Sequence, residues 1–164
     1  MTTISTDELR ERLGDPRLTI VDIRPLAAYN GWRINGEARG GHIPGAVAFP
    51  AAWLQTVDDD EIQRLLEAKG ITPDRDIVVH GQGPADAAAF VAGLRVHGID
   101  TARAHASGAT GWAADDGLPL EKLPRHEALV HIPWLREVLD GGRPEAPPTG
   151  SFLLFHVNFG VPEE

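Results

Sequence analysis

Cysteine is absent from this chain of 164 residues, and that absence excludes more than any residue present implies. Without a thiol there is no disulfide, no thiolate metal site, no iron–sulfur cluster and no cysteine nucleophile. It also leaves the redox compartment unreadable from thiol usage. Methionine and tyrosine occur once each, so chemistry must be carried by Asp, Glu, His, Ser, Thr, Lys, Arg or the one Tyr. Positive charge is scarce as well: 15 Lys and Arg stand against 24 Asp and Glu, a net charge of −9. A generic nucleic-acid or anionic-membrane binder carries the opposite sign, so neither partner is expected. No apolar run approaches the roughly 18 residues a membrane span needs. Met1-Thr2-Thr3-Ile4-Ser5 has neither the basic nor the apolar region of a secretory signal. A cytoplasmic location is the expectation, with a periplasmic one open should a leader precede this sequence.

What remains is a globular composition, 42% apolar and 24% charged, long enough for one domain and part of another. Ser5-Thr6-Asp7-Glu8 reads as a capping box, with Leu9 and Leu13 on one face of a short helix that Gly14 ends. Residues 18–23 read as a buried strand. Residues 24–45, with five glycines and no clear period, read as a long loop, and 46–49 as a short strand. Asp59 or Asp60 is expected to cap a helix whose buried stripe is Ile62, Leu65 and Leu66. A buried strand over 76–80 leads into the tight loop Gly81-Gln82-Gly83-Pro84, and Pro84 suits a first helical turn. Ala87, Phe90, Val91 and Leu94 share the face of the helix that follows. A weak strand over 101–106 and a short helix carrying Trp112 complete the pattern. Strands alternating with helices imply an α/β fold: a mainly parallel central sheet with helices on both faces, in three layers. Beyond it, Trp134, Leu135, Val138 and Leu139 mark another helix, residues 141–150 a Gly- and Pro-rich linker, and 151–157 a last strand. This helix–linker–strand order echoes residues 6–23 and suggests an incomplete second copy.

One constellation carries a resemblance. Asp22-Ile23-Arg24 closes a strand, and Gly41-His42-Ile43-Pro44-Gly45-Ala46 follows after the loop. The strand Ile77 to His80 then enters a tight loop and helix, and Ser107-Gly108-Ala109-Thr110-Gly111-Trp112 precedes Gly117-Leu118-Pro119. In that order and spacing residues 4–122 resemble a rhodanese-homology domain, and Gly-His-Ile-Pro-Gly-Ala is the most specific piece. Tyr29-Asn30-Gly31-Trp32, Trp53-Leu54 and the run from Leu123 to Leu135 resemble the N-terminal portion of sulfurtransferases with several such domains in tandem. The division implied is a domain over 1–123 and a linker with the start of a second over 124–164, where His156-Val157-Asn158 stands in place of an Asp-x-Arg strand end.

The resemblance implies sulfur transfer from thiosulfate or 3-mercaptopyruvate through a cysteine persulfide. The cysteine sits at the tip of the loop after the central strand, where backbone N–H groups stabilise a thiolate or bound anion. In this chain Gly81 occupies that position. Pro84 removes one N–H donor, and Asp86 adds negative charge where an anionic substrate favours positive. The reading is therefore a catalytically inactive domain with a scaffold or interface role, partnered by further domains of its own polypeptide or by a second copy, with no cofactor. The alternative is a stand-alone module binding a small anion or a protein segment at the loop Gly81, Gln82, Gly83, Ala85 and Asp86. An enzyme using His80 or Asp86 as acid or base is the third reading, and no group orienting either is visible in the sequence.

The remaining candidates read as structural. Gly81-Gln82-Gly83 fails the dinucleotide fingerprint because Asp86 stands at the third glycine position. The seven histidines show no metal-ligand spacing. Asp22 and Arg24 read as an ion pair ordering a loop, His42 and Gly45 as parts of a turn, and Trp112 as an anchor of the last helix. Asp58 to Glu61 reads as acids favoured at a helix N-terminus rather than a calcium loop. Trp32 is either a core residue or an interdomain contact.

Overall fold

The computed structural model describes residues 2–155. The chain divides into two compact units, Met1–His131 and Ile132–Glu164. In the first, five parallel strands, β1 (Thr3–Ile4), β2 (Leu18–Asp22), β3 (Val47–Ala48), β4 (Asp76–His80) and β5 (Arg103–His105), form one sheet in the order β1-β5-β4-β2-β3. Leu18 pairs with Asp76 and Asp22 with His80, so β2 and β4 end level at their C-terminal ends. All five residues of β2 are buried, as expected of a central parallel strand covered on both faces.

Alternation along the strands feeds two cores. Val21, Ile77 and Val79 face Ile62 and Leu66 of α4 (Asp59–Ala68) and Phe90, Val91 and Leu94 of α5 (Pro84–Val96). Ile20 and Val78, one residue out of phase, face Leu9 of α1 (Thr6–Glu11) and Trp112 of α6 (Gly108–Ala114). Because side chains of a strand alternate across the sheet, this split is the three-layer arrangement itself. α1 begins with half of the expected capping box: Ser5 Oγ accepts from the Glu8 N–H at 3.2 Å, while the Glu8 carboxylate accepts from Arg103 at 2.8 Å.

Four details differ from expectation. The segment after Arg24 is not wholly loop: Pro25, which presets φ, starts a short helix α2 (Leu26–Asn30) that buries Ala28. A single-turn helix α3 (Trp53–Thr56) follows β3. Asp58, not Asp59 or Asp60, caps α4, because its extended backbone lets its side chain accept from Glu61 N at 3.0 Å. The expected strand over 151–157 is absent from residues 151–155, which carry no regular structure. No strand is paired with them there, and backbone hydrogen bonds are what hold a strand. His156, Val157 and Asn158 lie outside the described residues. In the second unit, α7 (Ile132–Leu139) is tied to the segment after it by Trp134 Nε1 donating to Glu145 O at 2.7 Å.

Candidate functional site

The C-terminal ends of parallel strands are where α/β folds place their chemistry. Here two connections leave those ends side by side, one from β2 and one from β4. The first is a buried charge network. Asp22 is fully buried and Arg24 nearly so. Arg24 donates from Nε to Asp22 Oδ1 at 3.0 Å and from Nη2 to Asp22 Oδ2 at 2.7 Å, and its own backbone N–H reaches Oδ1 at 3.0 Å. Nη2 also donates to the Gly41 carbonyl at 2.7 Å, and buried Glu37 stands 3.6 Å from Nη1. Burial opposes the charge on Asp22, yet the Arg24 guanidinium, joined by His80 once acid protonates it, outweighs burial and holds the carboxyl below the usual carboxylate range. One guanidinium therefore closes the loop by gripping both its start and Gly41.

The rest of that loop is pinned by the turn the sequence singles out. The His42 ring stacks on Tyr29 with centroids 3.8 Å apart, and its Nδ1 lies 2.7 Å from the Tyr29 carbonyl. The His42 backbone exchanges two hydrogen bonds of 2.9 Å with Glu121, while Gly45, at φ 75°, donates its N–H to the Glu121 carboxylate. Arg39 donates to the carbonyls of Ala113 and Leu118 at 3.1 and 2.9 Å and also to that of Asp115. Trp112 is fully buried and donates from Nε1 to the Pro119 carbonyl at 2.8 Å. Trp32 is a core residue of the first unit: it is 1% exposed and packs edge-on against His126 and His131. Its Nε1 donates to the Leu129 carbonyl at 3.0 Å.

The second connection is the loop after β4, and it is closed in a different way. Gly81 and Gln82 turn their carbonyls toward α6, accepting from the N–H groups of Ala109 and Thr110 at 2.9 and 3.2 Å. Gln82 Nε2 donates to Thr110 Oγ1 at 2.8 Å and Gln82 Oε1 accepts from Asn35 at 2.9 Å. Gly83 is the N-cap of α5, with Pro84 as its first residue. The cap has no side chain, so Asp86 closes the turn: its Oδ2 accepts from the Gly83 N–H at 3.2 Å. A β-carbon placed on Gly81 would lie 2.7 Å from the Asp86 β-carbon and 3.2 Å from Ile23 Cδ1. A side chain at Gly81 would therefore have to displace the Asp86 β-carbon or the Ile23 side chain. Ala85 is exposed on the first turn of α5.

Between the two connections runs a buried polar row. Asp22, His80 and His105 end β2, β4 and β5, three neighbouring strands. His80 is fully buried with neither ring nitrogen hydrogen-bonded, and Asp22 Oδ2 is 3.8 Å from its Nε2. Burial pushes its pKa down to about 4, so at neutral pH it is uncharged and Arg24 is the standing counter-charge of Asp22. Burial also pushes His105 down to about 4, where its Nε2 lies 3.1 Å from Thr6 Oγ1. His80 and Asp86, the acid–base candidates of the third reading, do not meet: one is sealed under the sheet end and the other is exposed. Among the described residues no group of three or more His, Cys, Asp or Glu could hold a metal ion, and no helix is long and apolar enough to cross a membrane.

Of the residues singled out from sequence, Asp22 and Arg24 meet in one cluster, and Gly81, Gln82, Gly83 and Asp86 in another. His42, Gly45 and Trp112 frame them. Glu37, Arg39, Asn35 and His105 escape sequence reading. Their side-chain links to Arg24, to the Ala113 and Leu118 carbonyls, to Gln82 and to Thr6 are distant in the chain, and no spacing signals them.

A family model of the rhodanese-like domain matches residues 5–115. The chain is 26% identical to thiosulfate sulfurtransferase YnjE of Escherichia coli over 98% of its length and 34% of that protein. It is 42% identical to a thiosulfate sulfurtransferase of Azotobacter vinelandii over 49% of this chain and 31% of that one. The wild-type structure of EanB superposes with a TM-score of 0.84 at 32% identity, covering 93% of this chain and 35% of that one. Other structures of EanB are complexes with ergothioneine and hercynine. The chain therefore spans about a third of the length of these relatives.

Proposed function

Because the chain belongs to the rhodanese-like domain family, we propose that it is a catalytically silent member, a domain of a tandem sulfurtransferase that supports an active domain elsewhere. Residues 1–123 form the silent domain, and 124–164 lead toward a further one. One observation supports this reading: at Gly81, the position the resemblance gives to the nucleophile, an added β-carbon would lie 2.7 Å from the Asp86 β-carbon. The loss is threefold. Glycine has no sulfur, Pro84 has no N–H to offer an anion, and Asp86 takes the Gly83 N–H for its own carboxylate. A carboxylate at a helix N-terminus already supplies the negative charge that the end of α5 favours. A thiosulfate or persulfide anion there would meet like charge instead.

The support role follows from the rest of the sheet end. The network of Asp22, Arg24 and Glu37, with the His42 turn pinned separately on Tyr29 and Glu121, in this reading orders the loops of the family fold with no chemistry to position. In this reading the donor is thiosulfate or 3-mercaptopyruvate and the persulfide forms on a cysteine of another domain, since this chain has none.

The test is turnover by the purified chain. With thiosulfate or 3-mercaptopyruvate as donor and cyanide as acceptor, product should form at the buffer rate at every protein concentration. Product formation that rises in proportion to the chain overturns the proposal.

A further inference from the structure

The Asp86 carboxylate stands where two clefts meet. One, of about 190 Å³, is bounded by Ile23, Pro25, Asn35 and Gln82 and has Arg24 in its wall. The other, of about 370 Å³, runs between α3 and α5 over Leu54, Ala89, Phe90 and Gly93. Ala51 and Asp86 line both. Small-ligand sites combine apolar walls with a few placed polar groups, and here the carboxylate is the exposed charged group on the shared wall.

The charge of the surroundings has a definite sign. Arg24 is the cationic side chain in the wall, and it is already committed to Asp22, Glu37 and the Gly41 carbonyl. Three carboxylate side chains, Asp22, Glu37 and Asp86, thus stand against one guanidinium, and the neutral His80 adds nothing. Asp86 spends Oδ2 on Gly83 N–H and keeps Oδ1 for a ligand. Asn35 and Gln82 offer amide oxygens and N–H groups beside it. A cation placed at this junction would find a carboxylate, and its stem would find the apolar wall of Leu54 and Phe90.

We infer that the joined cleft at Asp86 binds an organic cation, an ammonium or guanidinium group on a short apolar stem, in place of the anionic sulfur species that the family's loop receives. The stem lies along Leu54, Ala89 and Phe90, and the head group faces Asp86 Oδ1. The same chemistry is presented by a free alkylamine and by a lysine or arginine side chain of a protein segment. This inference stands apart from the absence of turnover, since a chain with no sulfur transfer could bind a cation or fail to.

The experiment titrates the full chain, followed by its amide resonances, with n-butylammonium, n-butanol and thiosulfate in parallel. Butylammonium should shift Gly83, Ala89 and Gly93 saturably, and butanol and thiosulfate should not match it. Asp86→Asn keeps the hydrogen bond to Gly83 and removes the charge, and it should weaken butylammonium about five-fold. Added salt should weaken it more in the native chain than in the variant. An end-capped tripeptide with central lysine separates the sources: tighter binding than butylammonium assigns the site to a protein segment, equal or weaker binding to a free amine. Saturation by thiosulfate at the same amides overturns the inference. So does equal binding of butanol and butylammonium, an Asp86→Asn variant that binds as well as the native chain, or the absence of any saturable shift.

Discussion

The two connections that leave the C-terminal ends of β2 and β4 solve the same problem in opposite ways. Both must satisfy backbone groups at the mouth of a parallel sheet. The β2 connection does so with buried charge: Asp22, Arg24 and Glu37 are each no more than 4% exposed, and a single guanidinium bonds a carboxylate and a distant carbonyl. The β4 connection does so at the surface, with an exposed Asp86 returning to the Gly83 N–H of its own turn. Breaking a buried ion pair leaves a charge without solvent or partner, whereas an exposed cap is replaced by water at small cost. Sensitivity to loss of a single partner therefore resides in the first connection. The second is free to change its chemistry without endangering the fold, and in the proposed reading that is how glycine at position 81 is tolerated.

The comparison is broken most sharply at Arg24. Arg24→Ala leaves Asp22 and Glu37 buried without their counter-charge, and it should cost about 3–5 kcal/mol, read by urea unfolding of the chain. A loss below about 1 kcal/mol would mean that water reaches the pair and that the two connections are alike.

The next effect is acid sensitivity of the buried row. His80 is held at about 4 in the folded chain against an ordinary 6.5, so the unfolded chain binds the proton first as pH falls. Stability is complete above about 6.5, declines as pH falls from there to about 4, and loses no more from this group below that. A gap of that width corresponds to roughly 3 kcal/mol for His80, and His105 adds in the same direction. His80→Leu should flatten the decline in a series of unfolding curves between about pH 7 and pH 4. An unchanged slope would place the acid sensitivity elsewhere.

The smallest effect sharpens the β4 side. Gly81→Cys places a side chain against the Asp86 β-carbon and should cost about 1–3 kcal/mol by overpacking. In an Asp86→Gly background the same cysteine should cost less, by roughly 1 kcal/mol in a double-mutant cycle. Equal costs in both backgrounds would show that Asp86 does not fill the nucleophile's place.

Much of the fold is legible in the sequence. Strong local patterns carry it: the β-branched run of 18–22, the apolar face of Ala87, Phe90, Val91 and Leu94, the Ser5 cap. Short elements are less so. α2 and α3 have too few residues to show a period, and residues 151–155 look like a strand by composition alone, whereas a strand exists only when a neighbour pairs with it. The loop residues 81–86 and the Asp22–Arg24 pair are readable as candidates because each lies within a few positions in the chain. Glu37, Asn35 and Arg39 are not, because the side-chain partners that tie them to the rest of the site, Arg24, Gln82 and the Leu118 carbonyl, lie 13, 47 and 79 positions away.

The sequence by itself determined the family, the parallel layered sheet and the lack of any thiol chemistry. The family rests on the resemblance carried by particular motifs in order and spacing, the missing thiol on residue identity, and the layered sheet on apolar runs and helical periodicity, which are local properties of the chain. Only the tertiary structure decided that Asp86 lies against Gly81, that one guanidinium serves Asp22, Glu37 and Gly41 together, and that His80 is sealed without a hydrogen bond. Each of those depends on which distant segments exclude water from the same few ångströms, and the energy of a charge or a polar group is set by that exclusion rather than by its neighbours in sequence.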